Sequence, residues 1–216
     1  MNKKRDLTQE EYNDLMEFII SSLMKNGIKA TTMDSISAAR QMSKRTLYEI
    51  FESKEKMLQE AHEYFHKNMI TDLRNIFNNS DNIMEAIIKC FLYNRDMMSR
   101  VSVAFVRDIN ETSSRSAQLE DGNNRNHYQI LYDVLRQGVK EGFFYDDTNL
   151  MIQCRMLGIQ MESLKRMEEL FPEDFTPVEI YDNITLSFLR GICNDKGRKE
   201  LDRVVSILKM NPKTEI

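Results

Sequence analysis

Tyr12, Leu15, Met16, Ile19, Ile20 and Leu23 recur at helical spacing and give the first predicted helix one apolar face. Thr8 and Glu11 stand three residues apart as a capping box, Leu7 and Tyr12 are placed for a hydrophobic staple, and Gly27 suits the position just past the helix. A short second helix follows, with Thr32 as its cap, Asp34 in its first turn, and Met33, Ile36 and Ala39 facing inward. It ends within one or two residues of Gln41. Ser43 then caps a third helix, with Met42 and Leu47 in staple positions and Leu47, Ile50 and Phe51 on the buried side. Ser53 opens a long fourth helix, KEKMLQEAHEYFHKNMITDLRNIF.

Two short helices joined by a tight turn, with a longer helix behind them, form the helix-turn-helix plan. In that plan the N-terminal residues of the second helix reach base edges in the major groove. Here they are Ser43, Lys44, Arg45 and Thr46. A helix start also presents free N–H groups and a positive dipole end, which suit phosphate. Cations at a helix start disfavour the isolated helix by a few tenths of a kcal/mol, and a nearby polyanion reverses the sign. Plain serine caps with solvated lysines are the competing reading.

The pattern stays helical beyond residue 78. NNSDN (78–82) is a break, followed by the apolar stretches IMEAIIKCFLYNRDMMS and VSVAFVRDIN. The polar run at 112–126 is expected to hold a mobile loop. HYQILYDVLRQGVKEG is amphipathic and ends at Gly142. Residues 148–171 place Leu150, Cys154, Leu157, Met161, Leu164 and Phe171 on a heptad-like seam interrupted at Glu168. Thr176 and Glu179 form a capping box around Pro177, opening a helix with Tyr181, Ile184, Phe188 and Ile192 on one side and the small Ser187 and Gly191 nearby. GRKELDRVVSILKM is a further amphipathic helix to which no role is assigned.

Composition suits long helices, and with the helical pattern along the chain the expected fold class is all-α. The 216 residues include only three prolines and seven glycines, too few for the many turns of an all-β chain. No apolar run is long enough to span a membrane, and the N-terminus lacks the apolar segment of a secretory signal. Cys90, Cys154 and Cys193 are far apart in apolar surroundings and read as buried thiols of a reducing cytoplasm. The net charge of −4 argues against a protein that coats nucleic acid broadly. Acids and bases balance over residues 1–67, and RQMSKRT (40–46) is basic without an acid, so any contact with a polyanion is local.

The stretch TTMDSISAARQMSKRTLYEIFESKEKML resembles the DNA-binding signature of the tetracycline-repressor (TetR) family of bacterial transcriptional regulators. The match lies at Thr32, Ile36, Ser43, Lys44, Thr46, Leu47, Tyr48, Phe51, Ser53, Lys54 and Glu55 and belongs to the first 65 residues. Arg40-Gln41 replaces the family's Ala-Gly turn, where glycine would permit a positive φ and glutamine adopts it at a cost. Ile50 replaces an aromatic. The resemblance implies a DNA-binding domain over residues 1–65 and a ligand-sensing and dimerisation domain over 66–216. It further implies a homodimer on a palindromic double-stranded operator, acting as a repressor relieved by an unknown small-molecule effector. Thr32, Lys54 and Tyr48 would contact phosphates, Ser43, Lys44 and Thr46 would sit in or beside the groove, and Arg40 would add a phosphate contact. Arg45 is the expected base reader, because arginine pairs bidentately with guanine. Lys3, Lys4 and Arg5 would form an arm near the DNA backbone or a solubilising tail.

For the larger domain, Cys90, Phe91, Met97, Met98 and Phe105 are the expected pocket lining, with ordinary core packing as the alternative. Leu157, Met161, Leu164, Ile184 and Phe188 are expected at the dimer interface. HEYFH (62–66) is a rival signal, since H-E-x-x-H on a helix is the zinc-hydrolase spacing. A catalytic zinc site needs a third protein ligand, and no motif supplies one. No metal, cofactor or catalytic residue is therefore expected.

Overall fold

The computed structural model describes residues 7–116, 121–171 and 174–210, and Lys3, Lys4 and Arg5 lie outside them. Helices account for nearly all of the described chain: α1 (Gln9–Asn26), α2 (Met33–Ala39), α3 (Lys44–Phe51), α4 (Lys54–Asn78), α5 (Ile83–Ser99), α6 (Val103–Ser116), α7 (Asp121–Lys140), α8 (Leu150–Glu162), α9 (Met167–Leu170), α10 (Pro177–Ile192) and α11 (Asp195–Met210). Capping boxes at Thr8 and Thr176 start α1 and α10 where local chemistry places them.

One expectation changes: Ala39 is exposed, and Ser37 takes the inward place beside Met33 and Ile36. Within the polar run 112–126, α6 continues to Ser116 and α7 begins at Asp121, and the expected loop falls on 117–120, outside the described residues.

Leu15, Met16, Ile19 and Leu23 of α1 bury against Met33, Ile36, Leu47, Ile50, Phe51, Met57 and Ala61, which closes an N-terminal core over α1 to the first turns of α4. Phe105 of α6 packs on the same core, so the two halves of the chain share side chains. A C-terminal core gathers Met84, Leu135, Phe143, Phe144, Cys154, Leu189, Ile192 and Leu201 from α5, α7, the stretch after α7, α8, α10 and α11. The stretch after α7 docks on the end of α10: the Tyr145 N–H donates to the Ile192 carbonyl and the Asn194 N–H to that of Phe143. Gly138 permits this, since a Cβ there would meet the Phe144 ring. Burial pushes the thiols of Cys90, Cys154 and Cys193 up to about 11.

The seam over 148–171 is not one helix. α8 ends at Glu162, a 3₁₀ turn covers Ser163–Arg166, and α9 follows. No proline or glycine marks the break in the sequence.

Candidate nucleic-acid interface

Three successive helix starts are built the same way. The Thr32 hydroxyl accepts from the Ser35 N–H at 3.1 Å, Ser43 Oγ from the Thr46 N–H at 3.0 Å, and Ser53 Oγ from the Lys56 N–H at 3.2 Å. Each cap satisfies one orphan donor and leaves others of the first turn free. Ser43 Oγ also lies 2.8 Å from Thr46 Oγ1, tying the two hydroxyls at the tip of α3 together. Ser43, Lys44, Arg45 and Tyr48 are exposed, whereas Thr46 is half-buried.

The turn before α3 carries the expected strain. Gln41 adopts a φ of +52°, the left-handed conformation that glycine occupies without cost. Arg40 next to it lies against α1: its guanidinium pairs with Asp14 and sits 5.3 Å from the Phe18 ring centroid. Arg40 thus fastens the end of α2 to α1.

The cations at the tip also have carboxylate partners. Lys44 Nζ donates to Asp34 at 2.6 Å, linking the two helices of the motif, and Arg45 Nε donates to Glu49 at 2.8 Å. Lys54 Nζ donates to the Ile28 carbonyl at 2.7 Å and lies 3.4 Å from that of Lys29. Its ammonium therefore ties the start of α4 to the α1–α2 turn. That turn is held from its other side by α6: the Lys29 N–H donates to Asp108 Oδ2 at 2.8 Å, and Lys29 Nζ pairs with Glu111 at 2.6 Å. The sequence marks none of Asp14, Glu49, Lys29 and Asp108, and marks Asp34 only as an acid in the first turn of α2. Only the Arg45–Glu49 pair carries a local signal, its i,i+4 spacing on a helix.

The residues expected to line a pocket are divided between elements. Phe105 packs on the N-terminal core, and Phe91 is buried and stacked on Tyr181 of α10 with centroids 5.9 Å apart. Cys90, Met97 and Met98 are half-buried along α5. Beside the Phe91–Tyr181 stack, Arg95 Nε donates to Asp182 Oδ2 at 2.9 Å, and Asp182 Oδ1 is buried without a partner. Burial raises the Asp182 carboxyl and Arg95 opposes the rise.

Among the residues expected at a dimer interface, Leu164 and Ile184 pack on a small cluster of Val106, Met167 and Ile180, and Phe188 packs on the C-terminal core. Leu157 and Met161 are half-buried. The side of α8 away from the buried Cys154 exposes Ile152, Met156 and Ile159, the last at 70%. His62, Glu63 and His66 are exposed on α4, with the imidazole centroids 6.1 Å apart. Among the described residues no group of three or more His, Cys, Asp and Glu is placed to hold a metal ion.

Residues 20–61 match the family model described as bacterial regulatory proteins, tetR family. The HTH-type transcriptional repressor KstR2 of Mycobacterium tuberculosis is 25% identical over 149 residues, which cover 67% of this chain and 74% of KstR2. The solved structure of that ketosteroid transcriptional regulator shares the fold with a TM-score of 0.56 at 20% identity, over 89% of this chain and 100% of the other. A TetR-family regulator from Agrobacterium tumefaciens shares it with a TM-score of 0.65 at 12% identity, over 86% of this chain and 99% of that one.

Proposed function

We infer that this DNA-binding regulator, whose residues 20–61 place it in the tetR family of bacterial regulatory proteins, represses transcription as a homodimer on a palindromic operator. The observation that carries the reading is the exposed tip of α3, where Ser43, Lys44 and Arg45 crown a helix whose opposite side is wholly buried. A single eight-residue helix gives weak binding, and two-fold symmetry doubles its contacts. The exposed α8 stripe of Ile152, Met156 and Ile159, on a helix packed against α10, supports a second copy as its cover. Thr32, Tyr48 and Lys54 are assigned to phosphates, Lys54 exchanging a turn carbonyl for a phosphate oxygen.

Relief by a small effector belongs to the same reading. We assign the effector to the α5–α10 contact, where Asp182 Oδ1 is buried without a partner beside the Phe91–Tyr181 stack and would accept a hydrogen bond from it. Such a molecule shifts the protein only if it binds the DNA-competent and released states unequally. Release would change the separation of two recognition helices, which must match ~34–36 Å between half-sites. The proposed location is the cytoplasm, and no helix among the described residues is long and apolar enough to cross a membrane.

Fluorescence anisotropy with duplexes tiled across the DNA flanking the protein's own coding region tests the reading. One duplex binding far more tightly than the rest, at two chains per site, is the expected result. Equal affinity for every duplex contradicts it.

A further inference from the structure

The buried side of α3 is set by Leu47, Ile50 and Phe51. On a helix advancing about 100° per residue, the side diametrically opposite belongs to Arg45 and Glu49. Lys44 and Tyr48 fall on one flank and Thr46 on the other. Arg45 and Glu49 therefore lie on the side of the recognition helix turned away from the core, Arg45 with its side chain 88% exposed and Glu49 at 35%. They are bonded to each other, Arg45 Nε to Glu49 Oε1 at 2.8 Å.

The geometry of that bond divides the work. Using Nε leaves both terminal amino groups of Arg45 free, and these can engage guanine O6 and N7. The Arg45 side chain is 88% exposed, so this end points outward. On the carboxylate the bond uses Oε1 and leaves Oε2 for a second donor. A free carboxylate oxygen is repelled by phosphate and by the acceptor edges of guanine and thymine. The base edge it pairs with in the major groove is the cytosine N4 amine. An exposed ion pair contributes little in water. In a groove that excludes water both charges must be satisfied, and the choice of base decides whether they are.

We propose that Glu49 is a specificity-determining residue: Arg45 takes a guanine, and the Glu49 carboxylate accepts from the N4 amine of a neighbouring cytosine. Four residues along the helix correspond to about 6 Å of rise, and bases of one strand are about 3.4 Å apart. The guanine and the cytosine therefore lie within two steps of each other in each half-site. This inference rests on the reading of α3 as the groove-entering helix and adds the base that Glu49 selects.

Selection of bound duplexes from a randomised pool tests it, using the full chain as wild type, Glu49→Gln, Glu49→Ala and Arg45→Ala. Wild type enriches half-sites with guanine and cytosine within two steps. Glu49→Gln exchanges the cytosine for adenine, because glutamine pairs with adenine N6 and N7, and keeps the guanine. Glu49→Ala flattens the cytosine position, a loss of discrimination on the order of ten- to a hundred-fold. Arg45→Ala flattens the guanine and keeps the cytosine. If Glu49→Gln selects the wild-type half-site, the role of Glu49 is overturned while the groove reading stands. If the wild type enriches no half-site at all, both fall.

Discussion

The Lys29 backbone N–H donates to the buried carboxylate of Asp108 at 2.8 Å, across 79 residues of sequence. Lys29 sits in the turn between α1 and α2, and Lys54 at the start of α4 holds the neighbouring carbonyl. The turn is thus gripped by the N-terminal end of α4 on one side and by α6 on the other. Gly27 makes the grip close: its φ is +90°, and a Cβ there would lie 2.8 Å from Asp108 Oδ2.

Asp108→Ala leaves the Lys29 N–H without its acceptor, at a cost of about 1–3 kcal/mol. The expected result is a melting temperature lower by roughly 2–4 °C per kcal/mol, together with weaker DNA binding. Asp108→Asn keeps an accepting oxygen and should lose less of both. Calorimetric melting and anisotropy titration of the two variants check this.

Gln41→Gly should raise stability. Gln41 holds a φ of +52°, where a side chain costs about 1–2 kcal/mol. Glycine removes that cost and gives back part of it through the freer unfolded chain. A net gain of up to about 1 kcal/mol remains, read as a higher denaturation midpoint with an unchanged denaturant slope. A lower midpoint would mean that the Gln41 side chain makes a stabilising contact.

Lys54→Met keeps the apolar stem and removes the ammonium. Affinity should fall by a similar factor for operator and unrelated duplexes, and the slope of log affinity against log salt should flatten by about one. An effect confined to the operator would make Lys54 a base reader instead.

Ile159→Asp places a charge in the exposed α8 stripe. Sedimentation of the variant should show a monomer where wild type shows a dimer, and operator affinity should fall steeply with it. The substitution touches a side chain that is 70% exposed, so the fold of the single chain should persist. A variant that remains dimeric would move the interface elsewhere.

Features governed by neighbours in sequence were legible in advance. The caps at Thr8, Thr32, Ser43, Ser53 and Thr176 lie where the residues three positions on require them, and the strain at Gln41 follows from a glycine position filled by glutamine. Features set by distant residues were not. Nothing near Lys29 announces Asp108, and Asp34 meets Lys44 only once α2 and α3 have crossed. On α8 the spacing allows two apolar stripes, Leu150–Cys154–Leu157–Met161 and Ile152–Met156–Ile159. Only packing against the C-terminal core decides that Cys154 goes inward and leaves the second stripe exposed.

The account stands or falls on the tip of α3 entering the major groove. Guanine N7 lies in that groove, so methylation protection at N7 on DNA flanking the protein's own gene reports on it directly. The account predicts protected guanines in two symmetry-related half-sites about one helical turn apart, with that protection lost in Arg45→Ala while backbone protection persists. Bound DNA whose guanines stay fully reactive, or protection that Arg45→Ala leaves unchanged, would contradict it.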